Sequence, residues 1–165
     1  MNNARRIAIR CVDPRVAEIR RLVRELDDYM LGLYPAESNH LVDIETLARP
    51  EVRFFAAFVE DAALGCGAIM RREGARESEA YCEVKRIYVA PQGRGLGLGK
   101  LLLRHLEEET LAAGCRLMRL ETGVHQPEAL ALFAAAGFAA CGHFGDYPVD
   151  DPLSVFMEKR LSVPV

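Results

Sequence analysis

Apolar residues recur at helical spacing in several parts of the chain. The first such stretch is the longest, and arginine and aspartate residues occupy its opposite face. Its apolar positions are Val16, Ile19, Leu22, Val23, Leu26, Tyr29, Met30 and Leu33. The pair Asp13-Pro14 predicts where this helix starts, and Pro35 predicts its end. Further helices are predicted around residues 43–48, in the leucine-rich run that stops at Gly114, and from Pro127 to Gly137.

Short apolar runs between polar or glycine-containing turns predict strands. They are Ile7 to Cys11, Phe54 to Glu60, Leu64 to Arg71, Tyr81 to Val89, Leu117 to Glu121, Phe138 to Phe144, and Leu153 to Glu158. Strands precede, alternate with and follow the helices, so these elements predict a mixed α/β layered fold. In the fourth run, strand alternation predicts that Tyr81, Glu83, Lys85, Ile87 and Val89 share one face.

Length and charge narrow the classes of function. A chain of 165 residues suits one domain, residues 1–165, with one core. With 21 basic and 24 acidic residues, the net charge of -3 gives no positive surplus for a nucleic acid or an acidic membrane surface. We therefore expect a small-molecule partner.

The ends and the cysteines point to a reduced, cytoplasmic protein. The N-terminus lacks the apolar region of a signal peptide, and no run approaches the ~20 apolar residues of a membrane span. The five cysteines are odd in number and widely spaced, with no C-x-x-C. Neither a disulfide framework nor a metal site is expected.

The segment from Gln92 to Lys100 reads Q-G-R-G-L-G-L-G-K, between a predicted strand and a predicted helix. Glycine at this density lets the backbone adopt positive φ, so successive amides can point at one anion where a helix presents unpaired N–H groups. We therefore expect a ligand that carries a diphosphate. A Walker loop is excluded by Arg94 and Leu101, and the dinucleotide fingerprint is excluded by Leu98 and Lys100.

The spacing Q-x-x-G-x-G, formed by Gln92, Gly95 and Gly97 after V-A-P, resembles the GNAT superfamily of acyl-CoA-dependent N-acetyltransferases. The run from Gln126 to Phe138, Q-P-E-A-L-A-L-F-A-A-A-G-F, is similar to the family's helix that ends in an aromatic residue, small residues and Gly-Phe. With the strand E-V-K-R-I-Y-V, the resemblance covers about the C-terminal half of the chain. It implies a mostly antiparallel central sheet flanked by helices, whose fourth and fifth strands splay apart, and acetyl-CoA as co-substrate.

The resemblance also implies a set of cofactor contacts. The backbone amides of Ile87 and Val89 would meet the pantetheine and the thioester, although both residues could simply complete the sheet. Gln126 stands where the family commonly has an asparagine that touches the CoA arm. The diphosphate contacts would come from Arg94, Gly95, Leu96, Gly97, Leu98, Gly99 and Lys100.

Acetyl transfer to an amine requires a neutral nucleophile. An alkylammonium with pKa ~10.4 is neutral only about once in 2,500 molecules at pH 7, a handicap of roughly 4.6 kcal/mol, whereas a thiol with pKa ~8.5 leaves with only about 2 kcal/mol against it. A base therefore matters more than an acid. Glu83 is the candidate base, because similar enzymes often use a glutamate on this strand, and an ordinary surface pair of Glu83 with Lys85 is the alternative.

The general acid and the acceptor site are less clearly marked. Phe133 stands where many GNAT enzymes carry a tyrosine that protonates the leaving thiolate, and it cannot donate a proton. Tyr147 is a candidate substitute, with a rim or substrate contact or a packed aromatic as alternatives. Tyr34 and His40 flank the segment that lines the acceptor pocket in similar enzymes, although a polar connector needs no ligand to explain it.

The leading hypothesis is an N-acetyltransferase that moves the acetyl group of acetyl-CoA to a primary amine of a small molecule, such as an amino acid. The first alternative is a CoA-binding regulatory or interaction module that has lost catalysis, which Phe133 suggests. The second is a protein acetyltransferase acting on lysine or an N-terminus. Homodimers are common among similar proteins, so a homodimer is an expectation for which the sequence identifies no interface.

Overall fold

Seven strands form one sheet in the computed structural model, which describes residues 4–40 and 42–163. The strands are β1 (Ile7–Cys11), β2 (Val52–Val59), β3 (Ala62–Arg72), β4 (Tyr81–Val89), β5 (Leu117–Gly123), β6 (Ala139–Ala140) and β7 (Ser154–Arg160). The α-helices are α1 (Ala17–Leu33), α2 (Ile44–Leu47), α3 (Leu98–Ala112) and α4 (Pro127–Ala135), and short 3-10 turns cover Ala36–Ser38, Glu77–Glu79 and Pro91–Gly93. The mixed α/β prediction is confirmed. None of the helices in the described ranges is long and apolar enough to cross a membrane.

The sheet opens between its two central strands. Its order is β1-β2-β3-β4-β5-β7-β6, and every neighbouring pair is antiparallel except β4 and β5, which run parallel. These two strands pair only at Cys82 with Met118 and Glu83 with Arg119. Beyond this point β4 continues to Val89 and β5 to Gly123 without pairing to each other. The predicted splay is therefore confirmed.

Helices cover both faces of the sheet. On one face, Ile19, Leu22 and Val23 of α1 and Leu47 of α2 pack against alternate residues of β2, among them Phe54. On the other face, the buried side chains of α3 and α4 pack against the strands; they include Leu103, Leu106 and Phe133. Each fully buried leucine contributes about 1.5–3 kcal/mol, so the two apolar layers fix the sheet that carries the opening.

A β-bulge at Arg86 overturns the predicted alternation along β4. Arg86 has φ of 57°, and the register with β3 shifts between Cys66 and Ala68. The extra residue reverses the side-chain direction, so Ile87 and Val89 pack with Leu98 and Leu102 of α3 instead of sharing the face of Glu83. The prediction of one face from Tyr81 to Val89 is wrong beyond Lys85.

Two helix and strand boundaries also differ from the prediction. Helix α1 begins after Val16 and not at Asp13-Pro14, because the Asp13 carboxylate accepts a hydrogen bond from the backbone N–H of Arg15 at 2.9 Å and forms a local turn. The strand predicted from Phe138 to Phe144 shrinks to Ala139–Ala140. By contrast, the helix predicted around residues 43–48 is present as α2, and Asp43 caps it by accepting a hydrogen bond from the backbone N–H of Thr46 at 2.8 Å.

Candidate active site

A cavity occupies the opening between β4 and β5. Lys85 and Ile87 from β4 and Glu121 from β5 form part of its wall. The predicted site residues Tyr34, His40, Gln126 and Tyr147 line it as well, and so does Phe133. The fold therefore gathers residues from distant parts of the sequence around one space, although Glu83 is absent from its wall.

Glu83 lies behind the wall, in a buried cluster of charges. Its side chain is 1% exposed, and its Oε1 accepts a hydrogen bond from the Tyr147 hydroxyl. The Nζ of Lys85 lies 2.9 Å from the same oxygen, and the Nε of Arg72 lies 3.3 Å from Oε2. The pair of Glu83 with Lys85 is thus present but buried, so it is not the surface pair that alternation suggested. Because Glu83 and Lys85 are both desolvated, their mutual pairing is what makes this burial tolerable.

Tyr147 forms the cavity side of this cluster. Its hydroxyl donates to Glu83 and accepts from the Nζ of Lys85, while its ring packs edge-on against Phe144 and Phe156. Burial, and next the charge of Glu83, raise the pKa of the Tyr147 phenol well above its ordinary value. The phenol therefore stays protonated at neutral pH, and its hydrogen is committed to Glu83.

Glu121 is a site residue that sequence reasoning missed. Burial raises the pKa of its carboxyl to about 7, although a hydrogen bond with Ser154 and the charges of His40 and Lys85 act in the opposite direction. The only signal in the sequence was a single carboxylate near the end of the apolar run Leu117 to Glu121. Its importance depends on the splay, which turns this strand edge into a cavity wall.

His40 is fixed by an acidic partner from the far end of the chain. Its Nε2 lies 3.1 Å from Oδ2 of Asp151, with side-chain exposures of 14% and 8%. The backbone N–H of Leu153 donates to the other Asp151 oxygen at 2.9 Å. This contact ties the segment after α1 to the segment before β7, and so closes one side of the cavity.

Tyr34 and Gln126 hold each other in place. The Tyr34 hydroxyl donates to Oε1 of Gln126 at 3.3 Å and accepts from the backbone N–H of His125 at 3.0 Å. The N–H of Gly123 donates to the same Gln126 oxygen at 3.3 Å. The Tyr34 hydroxyl is therefore engaged within the protein, and the contacts orient the Gln126 amide at the start of α4.

The glycine-rich segment presents a row of backbone N–H groups at the start of α3. Gly95 has φ of 82° and Gly97 has φ of 75°, and a Cβ on either would meet nothing within 4 Å. From Gly95 to Lys100, no N–H of these described residues has a backbone acceptor. Unpaired amides beside open space at a helix N-terminus are suited to an anion such as a diphosphate.

The other two glycines of this segment, Gly93 and Gly99, allow leucine side chains to pack closely against the backbone. A Cβ on Gly93 would lie 2.9 Å from Cδ1 of Leu98, and one on Gly99 would lie 3.1 Å from Cδ2 of Leu132. The alternate glycines thus divide into two that allow the backbone conformation and two that allow close contact with leucine side chains.

The structure thus combines a mixed α/β fold, a cavity between splayed strands and a helix start with unpaired amides beside it. The sequence profile described as the Acetyltransferase (GNAT) family matches residues 19–138. The chain belongs to this family, and the resemblance seen in its motifs is confirmed.

Individual relatives extend over most of the chain. A protein of Azospirillum brasilense named IAA acetyltransferase is 49% identical over 142 residues, covering 86% of this chain and 89% of that protein. A crystal structure from Klebsiella pneumoniae, of a candidate acyl-CoA N-acyltransferase, shares 35% identity with a TM-score of 0.76 and covers 94% of this chain and 98% of its own. PaiA N-acetyltransferase from Thermoplasma acidophilum, solved with coenzyme A, has a TM-score of 0.68 at 19% identity, covers 94% of this chain and 99% of its own, and shows a common fold.

Proposed function

We propose that this protein transfers the acetyl group of acetyl-CoA to a primary amine of a small molecule, an amino acid or similar compound, bound in the cavity between β4 and β5. The observation that carries the proposal is that one strand joins the cavity to the row of unpaired amides. Strand β4 lines the cavity at Lys85 and Ile87 and then leads into the segment of unpaired amides from Gly95 to Lys100. A diphosphate at those amides would place the attached arm along β4.

The row of backbone amides from Gly95 to Lys100, called the cradle from here on, suits the diphosphate of CoA. The amides of Gly95 to Lys100 would contact the phosphates, helped by the helix dipole of α3 and the charges of Arg94 and Lys100. The N–H of Ala90 donates to the carbonyl of Leu64 on β3 at 2.8 Å. Since backbone direction alternates along a strand, the N–H groups of Val89 and Ile87 point to the opposite edge, into the opening. This supports contacts from both amides to the pantetheine and the thioester.

The chemistry proceeds by direct attack of the amine on the thioester carbonyl. The amine must first lose a proton, and two carboxylates, Glu83 and Glu121, lie on the strands that separate. The leaving thiolate, with an ordinary pKa of ~8.5, departs without a strong acid. Because the Tyr147 hydrogen is donated to Glu83, we propose that the reaction needs neither Tyr147 nor Phe133 as a proton donor.

Two observations support a small acceptor. The contact of His40 with Asp151 closes one side of the cavity, which would restrict the approach of a protein segment from that side. The Azospirillum brasilense relative is also named for acetylation of IAA and not of a protein.

The test is release of CoA thiol from acetyl-CoA with amino acids, polyamines, aminoglycosides, IAA and lysine peptides, beside a separate measurement of acetyl-CoA affinity. We expect turnover with one class of small amine. Turnover with lysine peptides alone would favour a protein acetyltransferase. Tight binding of acetyl-CoA without any turnover would favour the regulatory module, and no binding would contradict the assignment of the cradle.

A further inference from the structure

The two carboxylates on the separating strands stand in different positions relative to the cavity. Glu121 forms part of the cavity wall, whereas Glu83 does not. Glu83 is 1% exposed, and its oxygens already contact the hydroxyl of Tyr147 and the cationic groups of Lys85 and Arg72. An amine that enters the cavity therefore meets Lys85 and Tyr147 before it can reach Glu83.

Glu121 has a hydrogen bond with Ser154 but no such cationic partner among the described residues. The ionisable groups that act on it are His40 and Tyr34 from the segment after α1, Lys85 on β4, and Tyr147 and Asp151 from the segment before β7. Among the described residues, no ion pair within 4.0 Å includes Glu121, since His40 pairs with Asp151 and Lys85 pairs with Glu83. Its charge is left without a matching cation, so the cavity is suited to receive one from outside.

We propose that Glu121 binds the ammonium group of the acceptor and takes its proton, and that Glu83 remains in its ion-paired cluster. This inference rests on the proposed function. One N–H proton passes from the ammonium to the Glu121 carboxylate, and the neutral nitrogen attacks the thioester carbonyl carbon. The C–N bond forms, the C–S bond breaks, and the electron pair leaves with the CoA sulfur. The second nitrogen proton goes to the thiolate, and Glu121 returns its proton to solvent.

Proton transfer to Glu121 is easier than to an ordinary glutamate. From an ammonium of pKa ~10.4 to a carboxylate of pKa ~4.3, the transfer is disfavoured about a million-fold. Burial raises the pKa of Glu121 to about 7, which leaves the transfer disfavoured by about 2,500-fold. A base near neutral pH is also still deprotonated in half or more of the molecules at pH 7 and above.

The kinetic test compares Glu121→Gln with Glu83→Gln on whichever amine of the panel is acetylated. For the native protein, kcat/KM should rise up to about pH 7 and then stay level, because the reactive state contains the Glu121 carboxylate and the ammonium. Glu121→Gln should lower kcat/KM about 100-fold or more at pH 7. Because this variant can react only with amine that is already neutral, its kcat/KM should rise about tenfold per pH unit from pH 7 to 9. Glu83→Gln should keep the native pH profile.

The control is Glu158→Gln, which removes a β7 carboxylate whose partner is Arg119, 3.2 Å away and outside the cavity wall. It should retain the native rate within about twofold. Acetyl-CoA affinity should be unchanged in all three variants, which shows that each is folded. A native rate in Glu121→Gln would overturn the role of Glu121 and leave the proposed function intact. The same conclusion would follow if Glu121→Gln kept the native pH profile and Glu83→Gln lost it.

Carbon-13 NMR of the glutamate carboxyl groups gives a readout that needs no acceptor. One resonance should titrate near pH 7 in the native protein and in Glu83→Gln, and be missing from Glu121→Gln. A Glu121 resonance that titrates near its ordinary value of 4.5 would overturn the inference. A native protein that binds acetyl-CoA but acetylates no amine would overturn the proposed function, and the role of Glu121 with it, even where this titration is found.

Discussion

At the scale of single residues, two glutamates of the site differ in the side chains that surround their carboxyl groups. Glu83 and Glu121 are both partly or fully desolvated carboxylates on adjacent strands. Glu83 is surrounded by Arg72, Lys85 and the Tyr147 hydroxyl, which stabilise its charge. Glu121 is desolvated and has no ion-pair partner among the described residues, and burial is the leading cause of its raised pKa. The Glu121 arrangement yields a carboxylate that can take up and release a proton near neutral pH.

Glu121 should therefore reduce stability at high pH. Its carboxyl pKa is about 7 in the folded protein against an ordinary value of 4.5, so between these pH values the folded state holds a proton that the unfolded state has released. The free energy of unfolding consequently falls as pH rises through this window. Glu121→Gln should raise the free energy of unfolding by about 2 kcal/mol at pH 8, allowing for partial exposure, and change it little at pH 4.5.

Urea unfolding of Glu121→Gln at the two pH values measures this effect. Glu158→Gln serves again as the control, because its carboxylate is paired with Arg119. An equal change at pH 4.5 and pH 8 would mean that the Glu121 carboxyl titrates like a solvated one.

The Tyr147 hydroxyl is expected to matter for stability. Tyr147→Phe removes the donor to Glu83 and the acceptor of Lys85, and leaves both buried charges with one partner fewer. The free energy of unfolding should fall by about 1–3 kcal/mol. Tyr29→Phe, at a side chain that is 44% exposed, is the matched control and should have almost no effect. Chemical denaturation of both variants measures the difference, and a Tyr147→Phe protein as stable as the native one would show that the cluster does not depend on this hydroxyl.

At the scale of secondary-structure elements, the sequence predicted most strands and the glycine-rich segment because their signals are local. Apolar periodicity and the spacing of Gly95 and Gly97 need only a few neighbouring residues. The bulge at Arg86 could not be predicted, because nothing around it marks a positive φ. What stabilises that conformation is distant: the guanidinium contacts the Asp27 carboxylate on α1 and the carbonyl of Val42. The sequence did not predict Glu121 as a site residue for the same reason, because only the separation of β4 and β5 in the folded sheet makes it part of a cavity.

The start of α3 offers a test that separates conformation from ligand binding. Gly97 at the beginning of the helix and Gly114 after its end both have positive φ, and a Cβ on either would meet nothing within 4 Å. Gly97→Ala and Gly114→Ala should therefore each cost about 1–2 kcal/mol of stability for the left-handed conformation. Only Gly97→Ala should also weaken acetyl-CoA binding, by about tenfold or more, because its methyl group would occupy the space of the diphosphate.

Calorimetric titration of acetyl-CoA into the two variants, beside thermal unfolding, gives both quantities. Equal affinities in Gly97→Ala and Gly114→Ala would show that the diphosphate does not bind at the start of α3.

At the scale of the whole molecule, the sheet consists of two parts joined by a narrow connection. Strands β1 to β4 form one part and β5 to β7 the other, and only the pairs Cys82–Met118 and Glu83–Arg119 link them by strand pairing. Helices α3 and α4 pack across the junction on one face through a shared core that includes Leu106 and Phe133. A ligand in the opening would therefore add contacts between two strands that pair only over a short stretch.

Acetyl-CoA should accordingly stabilise the protein as a whole. At a concentration 100 times its Kd, it should raise the free energy of unfolding by about 2.7 kcal/mol, which corresponds to about 5–10 °C in Tm for a chain of this length. Hydrogen exchange should slow at the amides from Gly95 to Lys100 and along β4 beyond Glu83, because both the cradle and the free strand edge gain partners. S-acetylpantetheine lacks the diphosphate, so at the same concentration it should protect the cradle amides far less. If both compounds protected the same amides to the same extent, the start of α3 would not be the diphosphate site, and the ligand would be held by the open strand edge alone.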